Sequence, residues 1–266
     1  MNSYKITHPV ANRIPILLSI PHCGTAFPDE LLREYKPEML PPDDTDWFVD
    51  ALYDFATQMG ITTIAANYSR WVIDLNRNPD STPLYSDGRV ITGLCTSSNF
   101  LGEPIYNDER TLVNADEVER RKSLYFDPYQ QKVKELLDEL KAEFGTVMLW
   151  DCHSIRRLVP SIQKEAFTDL ILGTADGTSA SASLIDTALT QLSGNFKINH
   201  NHPFKGGYIT RNFGQPALNQ HALQLEMSKD LYMDNSETRY DEARALHMQS
   251  VLKQCLTAMN TILQTL

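Results

Sequence analysis

The sequence predicts an α/β fold: one domain over residues 1–266, with a sheet sandwiched between helices. Three observations predict it. Short apolar runs of strand character alternate with segments of helical periodicity. No composition shift, linker or internal repeat divides the chain. Apolar residues make up 42% of 266, enough for a substantial core.

Residues 14–20 (IPILLSI), with Pro15 near the start and Pro21 just beyond the end, read as a buried strand. Residues 44–59 follow with helical spacing: Trp47, Phe48, Ala51, Leu52, Phe55 and Ala56 share one side. Asp43 and Asp44 supply capping oxygens there, and Gly60 supplies a stop. Residues 61–66 and 71–75 are the next strands. Residues 78–114 are rich in Pro, Gly, Ser and Asn and read as a long irregular excursion. Such a stretch is uncommon in a compact domain and often functional. Residues 115–144 read as a long helix, open to a break at Pro128 and ended by Gly145. Residues 146–150 (TVMLW) and 170–172 read as strands, 181–192 as a helix, and 196–199, 208–210 and 222–226 as strands. An amphipathic helix over 241–266 closes the chain.

Charge and cysteines narrow the function. With 24 Lys+Arg against 34 Asp+Glu, the net charge of −10 argues against a nucleic-acid partner, whose phosphates demand a basic surface. No apolar run approaches the ~20 residues that span a bilayer. The N-terminal stretch MNSYKITHPVANR lacks the apolar region of a secretory signal. Cys23, Cys95, Cys152 and Cys255 are far apart and form no CxxC pair. Free thiols in a reducing compartment are the simplest reading, so a cytoplasmic location is expected.

Ligands of open α/β sheets gather at the carboxyl ends of strands. His22 follows the first strand, and His153 follows TVMLW. Two such histidines suit a shared metal, with a carboxylate as third ligand and one position open to water. Read alone, each is equally a loop histidine with an ordinary hydrogen bond. Asp46 and Asp50 are the nearby acids, although acids in a first helical turn are favoured by the helix dipole whatever the function. Asp151 is placed to orient His153, or simply to cap a loop. Arg70, Asn76 and Arg77 surround one short apolar segment, and a guanidinium fork matches a carboxylate. The plainer alternative is a surface ion pair with Asp74. Gly206 and Gly207, followed by Tyr208 and Arg211, build either a hairpin or a close backbone approach to a ligand. Glu226, in the alternating run ALQLEM, shares a face with Gln224. It is either a general base or a solvent-facing strand residue. Cys23 and Cys152 neighbour the histidines, but successive side chains on an extended chain point opposite ways, so buried thiols are expected rather than nucleophiles. No GxSxG, P-loop or GxGxxG occurs.

In order, LLSIPHCGTAFPDEL, DTDWFVDALYDFA, YSRWVIDLNRNPD, TGLC, GEPIY, WDCHSIR, FKGGYITRNFG, LQLEMSKDLYMD and YDEARA resemble the N-formylglutamate amidohydrolase family over residues 14 to 250. The resemblance implies hydrolysis of N-formyl-L-glutamate to formate and L-glutamate in histidine degradation. It implies a three-layer α/β/α fold with a mixed, mostly parallel sheet, like the zinc carboxypeptidases and aspartoacylases (phosphorylase/hydrolase-like). It implies Zn²⁺, or another divalent metal such as Co²⁺ or Fe²⁺, on His22, Asp46 and His153. Asp46 stands in for the acid of the carboxypeptidase HxxE pattern, where this chain has Thr25; Asp44 and Asp50 are the alternatives. Glu226 takes the place of the general base; in the mechanism this suggests, Arg70 helps the metal stabilise the oxyanion. Arg70, Asn76 and Arg77 correspond to the carboxylate-binding residues of the aspartoacylase segment, with Gly207, Tyr208 and Arg211 as further substrate contacts. A small acidic molecule is the expected partner. Two rivals stand beside this: a metal amidohydrolase of another N-acyl amino acid or formyl peptide, and a non-catalytic carboxylate-binding relative.

Overall fold

The computed structural model describes residues 2–82, 93–108 and 113–266. Residues 83–92 and 109–112 of the expected excursion therefore lie outside the described residues. The strands are β1 (Tyr4–Thr7), β2 (Ile16–Ile20), β3 (Thr62–Ala66), β4 (Val147–Ile155), β5 (Leu170–Gly173), β6 (Ile198–His200) and β7 (Gln220–Ser228). They form one mixed sheet in the order β1-β3-β2-β4-β7-β5-β6. The central strands β3, β2, β4 and β7 run parallel. β1 lies antiparallel on β3, and β5 antiparallel on β7 with β6 parallel to it.

The α-helices among the described residues are α1 (Asp29–Leu32), α2 (Val49–Leu52), α3 (Ala115–Arg121), α4 (Asp127–Phe144), α5 (Ala182–Ser193), α6 (Tyr208–Phe213) and α7 (Glu242–Leu263). Side chains of one strand alternate between two cores. Met148, Trp150, Leu223 and Leu225 join α5 and α7 in one core. Leu17, Val147, Leu149 and Ala222 join α4 and α6 in the other. β2 and β4 are buried along their whole length, as expected of parallel strands covered on both faces. The α/β fold class with a layered, mixed sheet is therefore as expected.

Several local expectations are corrected. Residues 44–59 are not one helix. Asp44 and Asp46 belong to a loop, Phe48 is left-handed (φ 62°), and only α2 and a 3₁₀ stretch (Asp54–Met59) are helical. The apolar spacing is real, but tertiary partners hold both aspartate side chains where a helix cap would have used them. Residues 71–75 form turns rather than a strand; the Asp74 N–H bonds Leu94 instead of a ladder. Residues 208–210 begin α6, with Gly207 as its N-cap, so Gly206-Gly207 is no hairpin. The helix over 115–144 continues through Pro128 at the start of α4, via a π turn at Lys122–Phe126. β4 runs five residues past Trp150, so His153 stands within the strand and not after it. β1 was not foreseen; its short, partly exposed sequence carries no buried-strand signal.

Trp150 is fully buried, and its indole N–H donates to Tyr53 Oη at 3.1 Å. Trp150→Ala is expected to remove about 3–5 kcal/mol of stability, read as a lowered midpoint in urea unfolding.

Candidate active site

β2 ends at Ile20, and the turn that follows delivers His22. β4 delivers Asp151 and His153 on one face, paired in register with Gln224 and Glu226 of β7. The loop before α2 brings Asp46 between them, its backbone N–H bonded to the His22 carbonyl at 3.0 Å. The two imidazole centroids lie 4.8 Å apart. Nδ1 of His153 is 3.1 Å, and Nδ1 of His22 3.7 Å, from Asp46 Oδ2. The His22, Asp46 and His153 donor atoms all lie within 4.8 Å of one another, a spacing that could hold a metal ion.

The opposite ring nitrogens are held by carboxylates. His22 Nε2 donates to Asp74 Oδ1 at 2.8 Å, and His153 Nε2 lies 3.0 Å from Asp151 Oδ2. Both Nδ1 atoms are thereby turned toward Asp46, as carboxylate partners turn metal-ligating imidazoles. Asp74 is in turn held by Arg70 (Nη2 to Oδ2, 2.7 Å) and approached by Arg77 at 3.6 Å.

Electrostatics follow from burial. Asp46, Asp74 and Asp151 are 1%, 2% and 0% exposed. Burial works to raise the Asp74 carboxyl, but Arg77, Arg70 and His22 outweigh it and hold it well below its ordinary value. Burial likewise works to raise Asp46, yet the hydrogen bond with His153 and the nearby His22 ring bring it below the usual range. For His153, burial favours the neutral ring, but Asp151 and Asp46 drive its pKa well above the ordinary value. Glu226 moves the other way: burial pushes its carboxyl up to about 8. His153 and Arg70 oppose that rise, and Asp46 and Asp151 add to it.

Of the three acids considered beside the histidines, only Asp46 meets them. Asp50 is exposed on α2. Asp44 is buried, but its oxygens accept from the Trp71 indole N–H (3.0 Å) and the Phe100 N–H (3.1 Å). Asn76 is a hub. Its Oδ1 accepts from the Ile209 N–H at 2.8 Å, and its Nδ2 donates to Asp151 and Gln224 and lies 2.9 Å from His153 Nε2. The Gly207 N–H donates to Gln224 Oε1 at 2.8 Å. Arg211 reaches back to the Gly206 carbonyl. The Tyr208 ring packs 5.6 Å from Phe126, so only its backbone N–H meets Asn76. Cys23 donates to the Ile20 and Ala66 carbonyls, and burial pushes its thiol far up. Cys152 faces the core opposite His153, its thiol also raised well above the ordinary value, first by burial.

Two residues of the cluster were not assigned from the sequence. Asp74, read there as a surface ion-pair partner, is 52 positions from the histidine it holds, and no spacing signals that. Gln224 was noted only as sharing a face with Glu226, which was the available signal.

The N-formylglutamate amidohydrolase family model matches residues 14–233. The chain is 38% identical over 250 residues to the N-formylglutamate deformylase of Pseudomonas putida, covering 93% of this chain and 92% of that one. It is 39% identical over 252 residues to the enzyme of the same name from Pseudomonas aeruginosa, covering 93% of each. The crystal structure of N-formylglutamate amidohydrolase from Ralstonia eutropha JMP134 matches with a TM-score of 0.81 at 26% identity, over 100% of this chain and 98% of that one. By class, then, this is an α/β amidohydrolase. The chain belongs to the N-formylglutamate amidohydrolase family.

A Cβ on Gly207 would lie 2.4 Å from the Asn76 amide, so a side chain there must push the hub aside. Gly207→Ala is expected to cost about 1–3 kcal/mol in thermal unfolding and to lower catalytic activity with it. Full activity and an unchanged melting temperature would contradict the hub.

Proposed function

We propose that the protein hydrolyses N-formyl-L-glutamate to formate and L-glutamate, using a divalent cation held by His22, Asp46 and His153. The observation that carries this is the convergence of one nitrogen from each imidazole and one carboxylate oxygen within 4.8 Å, in a chain of this family. The donor set fits the ion. Two imidazole nitrogens and one carboxylate oxygen suit Zn²⁺, and equally Co²⁺ or Fe²⁺. A divalent ion also offsets three buried carboxylates that Arg70 and the partly exposed Arg77 only partly balance. Such a cation supplies Lewis acidity, which lets water ionise near neutral pH.

The rest of the chemistry falls to side chains. Glu226 accepts the proton of the attacking water as oxygen bonds to the formyl carbon. It returns that proton to the amide nitrogen as the C–N bond breaks, so formate and the free amine of glutamate leave. Arg70, fixed by Asp74, stabilises negative charge on the formyl oxygen. Arg77 and Arg211 bind substrate carboxylate, with Asn76 and Gly207 holding that wall in place. Cations at such a site also disfavour substrates that lack a carboxylate to pair with them. We place the reaction in the cytoplasm, as a step of histidine degradation. Among the described residues no helix is long and apolar enough to cross a membrane.

Metal analysis joined to a formate-release assay tests the reading. His153→Ala is expected to lose both metal and turnover. Glu226→Gln is expected to keep the metal and lose about 10²–10⁴ in kcat; wild-type turnover in that variant would remove Glu226 as the base. Arg77→Ala should chiefly raise KM, and an unchanged KM would exclude it from substrate binding. A base works only when deprotonated, so kcat/KM should fall as pH drops through the Glu226 pKa. That pKa is raised from 4.5 toward about 8 by burial, and a cation in the cluster opposes the rise as His153 does. A kcat/KM that shows no acid limb at all would contradict the assignment.

A further inference from the structure

A cavity of about 450 Å³ lies on the far side of Phe100 from Arg70, within the roughly 300–1,000 Å³ typical of small-molecule sites. Its wall is built from chain neighbours of the site residues. Asp44 lies two positions before Asp46, Trp71 follows Arg70, and Lys229 lies three beyond Glu226. Phe100 joins the wall to the cluster, its ring centroid 4.7 Å from the Arg70 guanidinium carbon.

Lys229 is the unusual member. It is 2% exposed, and its Nζ donates to the Asp43 backbone oxygen at 2.9 Å. An ammonium has three N–H donors. Among the described residues no carboxylate comes within ion-pair distance of Lys229. Burial lowers its pKa, and the attraction of Asp46 and Asp43 does not make up the loss. The acids around the cavity are otherwise engaged or in water. Asp43 is gripped by Arg156, and Asp44 by Trp71 and the Phe100 N–H. Glu38 and Glu103 are exposed. A buried ammonium facing a cavity without a carboxylate partner is a place for an anion.

We propose that this cavity receives the side-chain arm of the substrate, with its distal carboxylate on Lys229, which makes Lys229 the residue that selects glutamate over a neutral side chain. The inference rests on the hydrolysis proposed above and names the subsite for one end of that substrate. The apolar rim, with Leu101 and Leu158 exposed, suits the methylenes of the arm. Arg77 and Arg211 are then left for the carboxylate beside the scissile amide.

The test compares kcat/KM for N-formylglutamate and N-formylglutamine, which differ only in the distal group. Wild type is expected to favour N-formylglutamate. Lys229→Gln keeps a donor for the Asp43 carbonyl and removes the charge. It should reduce the preference by about 10- to 100-fold, chiefly through KM. Lys229→Arg should retain most of it. A purely structural lysine would change melting temperature but not the preference. Lys229→Met, read the same way, serves should Lys229→Gln fail to fold. An active wild type with a preference within about twofold of its neutral variant would overturn the inference alone. A metal-loaded wild type that releases no formate from N-formylglutamate would overturn the hydrolysis reading, and this inference with it.

Discussion

Three aspartates, two histidines and an arginine are buried together beside the end of β2 and the carboxyl-terminal half of β4, and the site follows from how that charge is balanced. A charge taken out of water without a partner costs several kcal/mol, so each group must be matched. Arg70 matches Asp74, and Asp74 also grips one nitrogen of His22. Asp151 meets one nitrogen of His153. What remains is the Asp46 carboxylate between two Nδ1 atoms, a set that either protons or a cation can complete. The residues that hold the imidazoles thus also decide which nitrogens face inward.

The sheet makes this economical. Parallel neighbours bring their carboxyl ends to one edge, so β2, β4 and β7 present His22, His153 and Glu226 side by side without long excursions. Register does the rest: because His153 opposes Glu226, the proposed base stands beside a proposed ligand on the same face. The antiparallel strands β1 and β5 lie to either side of this group, and β5 pairs its Ile171 with Glu226.

Much of this was legible in the sequence. Buried parallel strands read as apolar runs, so β2, β3 and β4 stood out, β7 showed as an alternating run, and a polar group just past an apolar run marks a strand end. That located His22, and it located His153 even though β4 extends further than its apolar start. Amphipathic periodicity located α4, α5 and α7 for a similar reason. The loop from Asp44 to Phe48 was illegible because its spacing is compatible with a helix; only partners remote in sequence, Trp71 and His153, pull it out of one. Local pattern alone could therefore not separate a capping aspartate from a proposed ligand, and Asp46 rested on family resemblance. Tyr208–Phe213 misled in the same way: two glycines suggest a hairpin, whereas Gly207 is needed for its closeness to Asn76. Asp74, Gln224 and Lys229 owe their surroundings to contacts across the fold, which no spacing encodes.

The most direct measurement of the central claim is anomalous scattering at the zinc edge from crystals of the metal-loaded protein. The account predicts one strong peak bonded to Nδ1 of His22, Nδ1 of His153 and a carboxylate oxygen of Asp46. A fully loaded, active protein whose peak lies elsewhere, with those three side chains bound only to one another, would contradict it.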